Sequence, residues 1–437
     1  YGGPGRKNKE IPTRRVFPAK PMAKHTTPLT ECVTCHAWNG DATMVALCPG
    51  NSKIVIYNYD GNSFTENTVL SSHDSLVCAL DWHPVTNQLV SCSHDRNAYV
   101  WTPEAFRPQG MEFKPNLCIL NNDRAALCVK WSPNGKKFAV GTGNRQVVVC
   151  CYDDVENWWV PKTKRVHKSS VLSLAWNPDN LTLATCGTDG RVAVCSGYIK
   201  EVDGSANAPP RQPGTKRGKE KNVLDLLLTK GAWVNDVAWS PSGDILCFVG
   251  HDSSIFFVYY RHMDESGMPA FQKLTLSDLP FRQVLFVSER SVIAGGDDCT
   301  PFVFVYDGSQ WVLKGKITTS KDAISAGGLG GTSSGNLASG SGGSSGSLAS
   351  GSSSVAAAFA RFQSSTKFGE EEQKKSAAGH ASRAKVSSLV HKCPIECMTP
   401  VSFSGGLPTR ISTSAVDGRL VVWDLEAIEL GRAALQA

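Results

Sequence analysis

No apolar run in this chain is long enough to cross a bilayer, so no membrane span is expected. No secretory h-region stands near its beginning. No histidine and carboxylate cluster has the spacing of a metal site. The glycine-containing turns Gly141-Thr142-Gly143 and Gly187-Thr188-Asp189-Gly190 do not open helices, so they are not phosphate cradles and no cofactor is expected. The 15 cysteines are odd in number. Cys78, Cys92, Cys128, Cys150, Cys186 and Cys195 fall in strand-like segments and read as small buried apolar residues of a reducing compartment. Cys32 and Cys35 form a C-x-x-C, and Cys393 and Cys397 a C-x3-C, which raises zinc. In a strand, however, Cys32 and Cys35 point to opposite faces, so no metal site is expected.

What the chain does have is a repeat. Trp38, Trp82, Trp131, Trp176 and Trp239 are each followed thirteen positions later by Asn51, Asp95, Asn144, Asp189 or Asp252. Each unit reads as a short alternating strand ending in the Trp, a turn such as Ser240-Pro241-Ser242-Gly243, a second strand, a tight polar turn and a third strand. Most Trp-to-Trp spacings are 44 to 49, close to the period of a four-stranded WD40 blade. Phe286 with Asp298, and Phe403 with Asp417, supply a sixth and a seventh unit. The fold expected is therefore all-β, a seven-bladed WD40 β-propeller. Blades 1–6 lie in 25–318 and blade 7 in 389–426. The last blade lacks a fourth strand after Leu425, and 25–30 is placed to supply it, which removes a free sheet edge.

Seven blades take roughly 300 residues, which leaves about a third of the chain in extensions and insertions. Net charge is +6. Much of the excess sits in the extension 1–24 (Arg6, Lys7, Lys9, Arg14, Arg15, Lys20, Lys24) and the loop 203–222 (Arg211, Lys216, Arg217, Lys219, Lys221). Both read as solvated, disordered arms. Their basic residues alternate with Pro and Gly rather than aromatics, so nucleic acid is not an expected partner. The insert 319–388 separates the last two repeats, and 427–437 forms a C-terminal tail. The Gly/Ser-rich tract 326–354 cannot bury enough surface to offset its chain entropy. A short helix is expected near 355–364, with Ser354 as N-cap and Val355, Phe359 and Phe362 on one face. That face docks either on the propeller itself or on a partner.

His73, Ser91, Asp95 and Trp101 stand at matching offsets in blade 2, and His391, Thr413, Asp417 and Trp423 in blade 7. His167, Thr185 and Asp189 repeat the set in blade 4, with Cys195 at the Trp position. A Ser, a His and an Asp invite a hydrolase hypothesis. Repetition around a ring argues instead for architecture, a hydrogen-bonded network inside each blade. No catalytic residue is assigned.

Particular strings carry a further resemblance: Asp95-Arg96-Asn97-Ala98-Tyr99-Val100-Trp101, Asn157-Trp158-Trp159-Val160, Val171-Leu172-Ser173-Leu174, Tyr198-Ile199-Lys200-Glu201-Val202 and Arg361-Phe362-Gln363. They resemble the WD40 subunit, subunit 1, of the actin-related protein 2/3 complex. The resemblance covers roughly 30–318 and 355–425. It implies a cytoplasmic, non-catalytic scaffold of the actin cytoskeleton that helps nucleate branched filaments. Its implied partners are the other subunits of the complex, the actin filament and nucleation-promoting factors. Phe359, Arg361 and Phe362 are carried over as the contact element. The alternative is a WD40 adaptor that recognises peptide motifs in another assembly.

Overall fold

The computed structural model describes residues 23–24, 27–107, 110–205, 224–226, 231–263, 269–317 and 390–425. These form seven four-stranded antiparallel sheets. Blades 1 to 6 occupy 35–70, 77–119, 126–165, 171–226, 234–275 and 281–316, and blade 7 occupies 395–424. The first strands of successive blades pack against one another around the whole ring, so they line its axis, and the fourth strands lie at the periphery. The fold is the seven-bladed propeller expected from the repeat.

The sequence pattern follows from this stacking. Second strands such as Met44–Cys48, Lys137–Thr142 and Ser291–Gly296 are buried at every position, because a neighbouring blade covers each face. They therefore read as continuous apolar runs rather than alternating ones. First strands such as Val77–Trp82 and Val171–Trp176 alternate between buried and half-buried positions. Blades 2 to 7 carry a register irregularity at the same place near the start of the first strand, as between Val77 and Ala79 or Val171 and Ser173. A bulge of this kind adds the local twist that a blade needs.

The core is divided rather than single. Among the described residues seven apolar clusters occur, and each lies between two neighbouring blades. The one between blades 7 and 1 joins Val401, Leu420 and Val422 to Val33, Trp38, Val45 and Tyr57.

Closure uses both ends of the described chain. Ala23–Lys24 forms the fourth strand of blade 7, pairing with Trp423 and Val422. This is slightly upstream of the expected 25–30. Pro28 makes only an isolated bridge to Arg419, and the N–H of Leu29 donates to Gly418 O at 2.9 Å. Proline has no N–H to extend a ladder, so regular pairing falls to the residues before it. Gly418, at φ 77°, allows the approach, since a Cβ there would lie 1.8 Å from Thr30 O.

Among the described residues one four-residue helix occurs, Lys200–Asp203, and it ends at the first residue of the expected loop 203–222. The arm 1–22, the segment 206–223, the insert 318–389 with its expected helix, and the tail 426–437 lie outside the described residues. Among the described residues no helix is long and apolar enough to cross a membrane. Deleting residues 1–31 should lower the melting temperature by several degrees, whereas deleting 1–20 should leave it unchanged. Thermal denaturation of the two truncations, with equal curves as the contrary result, checks this.

Candidate functional site

Three polar relays stiffen the blades. In blade 2, Trp101 Nε1 donates to Ser91 Oγ at 2.9 Å, Ser91 Oγ lies 2.7 Å from His73 Nε2, and His73 Nδ1 lies 2.6 Å from Asp95 Oδ2. Asp95 also accepts the N–H groups of Asp74 and Asn97 at 3.1 and 2.9 Å. Burial lowers the His73 pKa, although Asp95 acts to raise it. The imidazole is therefore neutral at ordinary pH. Its proton sits on Nδ1 facing the carboxylate, and the Ser91 hydroxyl donates to Nε2.

Blade 7 repeats the chain. Trp423 Nε1 donates to Thr413 Oγ1 at 2.8 Å, Thr413 meets His391 Nε2 at 2.7 Å, and His391 Nδ1 stands 3.5 Å from Asp417 Oδ1. In blade 4, His167 Nε2 meets Thr185 Oγ1 at 2.9 Å and Nδ1 meets Asp189 at 3.1 Å. Cys195 replaces the tryptophan there, and the freed Thr185 hydroxyl lies 3.2 Å from the Ala193 carbonyl, to which it donates. Burial pushes the Asp189 carboxyl up, but hydrogen bonds from His167 and the Lys168 N–H outweigh it and hold its pKa low. All eight network residues named from the sequence thus fall into two relays. The Ser–His–Asp order matches that of a hydrolase, but Ser91 and the His73 side chain are fully buried, so no substrate carbonyl can reach Ser91 Oγ.

Other tethers cross between blades and carry no local sequence mark. His36 in the first strand is fully buried. Its Nδ1 meets Ser414 Oγ at 2.8 Å, and its Nε2 meets Ser412 Oγ and Thr399 Oγ1 at 2.7 and 2.8 Å. Trp38 Nε1 donates to the same Ser412 Oγ at 2.8 Å. This seam joins blade 1 to blade 7. Burial, with smaller contributions from Lys130 and His391, pushes the His36 pKa down to about 3.

Elsewhere Trp176 and Trp239 donate their indole N–H groups to Lys130 O and Ala175 O of the preceding blade, at 3.1 and 3.2 Å. Asp81 of blade 2 accepts the Trp131 N–H at 2.7 Å and lies 3.1 Å from Lys130 Nζ. Asp236 of blade 5 accepts the Ser173 hydroxyl of blade 4 and, at 2.7 Å, the Val284 N–H of blade 6. Burial raises the Asp236 pKa to about 6.

Lys137 is a charge buried together with its partner. Its side chain is completely buried and donates to Asp203 Oδ1 and Oδ2 at 2.8 and 2.6 Å, to Asn180 O at 2.9 Å and to Gly197 O at 3.1 Å. Asp203 Oδ2 also accepts the Ile199 N–H at 2.7 Å, which shapes the short helix. This latch fastens the 198–204 segment, which contains the Tyr-Ile-Lys-Glu-Val string, to blade 3. A lysine is usually solvated, so nothing in the sequence marks Lys137 as buried.

All fifteen cysteines are free thiols. Cys92, Cys150, Cys186 and Cys195 are buried as expected, whereas Cys78 and Cys128 are only half-buried. Among the described residues no group of three His, Cys, Asp or Glu side chains could hold a metal. Phe359, Arg361 and Phe362 lie outside the described residues.

Two stability effects follow. Asp95→Ala should destabilise the ring by about 1–3 kcal/mol, because His73 and two N–H groups lose a buried acceptor. Urea titration measures it. His36 is neutral when folded and protonates near pH 6.5 when unfolded. The unfolded state therefore binds more protons between those values. Stability is complete above about pH 6.5 and falls as pH drops towards 3. Denaturation at pH 7.5 and pH 5 should show an acid loss that is reduced in His36→Gln.

The WD domain, G-beta repeat family matches residues 64–102, 159–196 and 225–257. Each match starts in the fourth strand of one blade and ends in the third strand of the next. Actin-related protein 2/3 complex subunit 1B of Arabidopsis thaliana is 40% identical over 405 residues, 91% of this chain and 96% of that protein. Subunit 1 of Schizosaccharomyces pombe is 33% identical over 393 residues, 89% and 96% of the two chains. Subunit 1B-A of Xenopus laevis is 33% identical over 414 residues, 93% and 98%. With 40% identity over 91% of this chain and 96% of the first of these relatives, the chain belongs to the family of actin-related protein 2/3 complex subunit 1.

Proposed function

We propose that this chain is a non-catalytic scaffold of an actin-related protein 2/3 complex, working with the other subunits in the actin cytoskeleton to nucleate branched filaments. The observation that carries the reading is the identity of 40% across 91% of the chain with a protein named as a subunit of that complex. The ring is consistent with it. Its Ser–His–Asp set is sealed, and its polar groups are used to tie blades together rather than to face a substrate. A body of this kind acts by positioning, since rigid loops present partners in fixed geometry and little entropy is lost on docking. In the same reading, Phe359, Arg361 and Phe362 contact the mother filament or nucleation-promoting factors. The sequence spacing of Phe359 and Phe362, which would share a face if 355–364 is helical, supports this.

Affinity purification of the full chain from its own cells, with mass spectrometry of stoichiometric partners, tests the proposal. A set that includes actin-related proteins is expected. Recovery of the chain alone, or of an unrelated machine, would overturn the reading. Complexes carrying Phe359→Ala and Phe362→Ala should assemble normally but branch filaments several-fold more slowly. An unchanged branching rate at saturating activator would remove the contact role.

A further inference from the structure

The last hairpin of blade 3 presents apolar surface where a solitary propeller has no use for it. Its strands, Gln146–Asp153 and Trp158–Arg165, pair Asp153 with Trp158 and Tyr152 with Trp159. Val155 at the tip is 89% exposed, the most of any large apolar side chain among the described residues. Trp158 is 56% exposed, the most of any described tryptophan.

The tip is nonetheless held firmly. Asp153 Oδ1 accepts the N–H groups of Val155 and Glu156 at 3.0 and 3.3 Å. The Asn157 N–H donates to Asp153 O at 2.8 Å, with Asn157 at φ 57°, and the Tyr152 hydroxyl bonds the Asn157 side chain. Beneath it, Trp159 is buried against Phe138, Tyr152 and Trp131, with ring centroids 4.9, 5.3 and 5.7 Å away. An exposed tryptophan on a rigid support has the character of an interface anchor, because burying it gains much and orders little.

The surroundings specify the partner's charge. Asp153, Asp154 and Glu156 stand on the turn around Val155, and among the described residues none of them forms an ion pair. Glu201, paired to Lys162 at 2.6 Å, adds a fourth carboxylate nearby. A groove of about 550 Å³ opens beside the turn, lined by Thr102, Asn116, Lys136, Tyr152, Asp154 and Glu201 among others. This corner is acidic on a chain whose net charge is +6. Complementary charge steers encounter and sets orientation.

We propose that this hairpin tip and its groove are the docking surface for a basic segment of another subunit. That segment carries an apolar side chain onto Trp158 and Val155 and lysines or arginines against Asp153, Asp154 and Glu156. The inference rests on the scaffold reading above and adds to it the face used and the chemistry of the segment.

The test uses the tagged full-length chain expressed in its own cells and purified at moderate salt, with partners quantified by mass spectrometry. Trp158→Asp and the pair Asp154→Lys with Glu156→Lys should each lower recovery of the other subunits at least tenfold, with melting temperatures unchanged. Trp158→Phe should restore recovery. Trp233→Asp, at a tryptophan 53% exposed on blade 5, serves as the control and should recover the full set. Full recovery with Trp158→Asp or with the charge-reversed pair overturns the docking surface while leaving the scaffold reading intact. Equal loss with Trp233→Asp also overturns it, because the effect would not be local. If the unaltered chain recovers no subunits, the scaffold reading fails and the docking surface with it. Should Trp158→Asp melt early, the charge-reversed pair decides, since both of its residues are exposed.

Discussion

Among the described residues every apolar cluster is shared between two blades, and none lies within a single blade. A single four-stranded sheet would leave both faces wet, and seven such sheets become stable only when the last is closed against the first. The seam between blades 7 and 1 is therefore the constraint on which the rest depends. It is closed in three ways: by the pairing of Ala23–Lys24 with Val422 and Trp423, by the cluster around Trp38 and Val422, and by the hydrogen bonds of His36. Closure also gives the third strand of blade 7, Leu420–Asp424, its outer partner at the periphery.

Buried polar groups divide into two kinds. Relays such as Trp101–Ser91–His73–Asp95 act inside a blade and fix the loop before its first strand to the turn before its third. Tethers such as Asp81, Asp236 and the indole N–H groups of Trp176 and Trp239 act between blades. Apolar wedges alone would allow neighbouring blades to slide. Directional bonds that must be satisfied once buried allow one register only. Lys137 with Asp203 applies the same logic to a loop, since an unpaired buried ammonium would be costly and its segment must stay where the carboxylate can reach it.

A ring built this way suits positioning more than chemistry. Its buried hydroxyls and imidazoles, such as Ser91, Thr413, His36 and His73, are engaged in structural hydrogen bonds, and the periphery is open to partners. There the hairpin tips differ from blade to blade while the interior repeats. Blade 3 presents an aromatic, acidic tip, and blade 4 a helix fastened by a buried ion pair. Family membership makes the chain a relative of a complex subunit, and the proposed scaffold role draws on this periphery.

The blade count, the strand order within each blade and the eight relay residues were all legible in the sequence. Each is a local regularity: the Trp-to-Asp spacing, the period-two pattern and the fixed offsets within one unit repeat with the blade. The closing strand was legible only to within a few residues, because Pro28 interrupts pairing in a way that depends on its partner Arg419. His36 was not legible, since Ser412 lies 376 residues away and nothing near His36 marks it. Nothing in the sequence near Lys137 or Asp236 marks either charge as buried. What the sequence by itself determined was the repeating unit, because a strand's pattern is written within a few residues. Which charges are buried, which hydroxyls meet across blades and which tryptophan is left outside were decided only by the closed ring. Burial is a property of the neighbours, and here the neighbours come from the next blade.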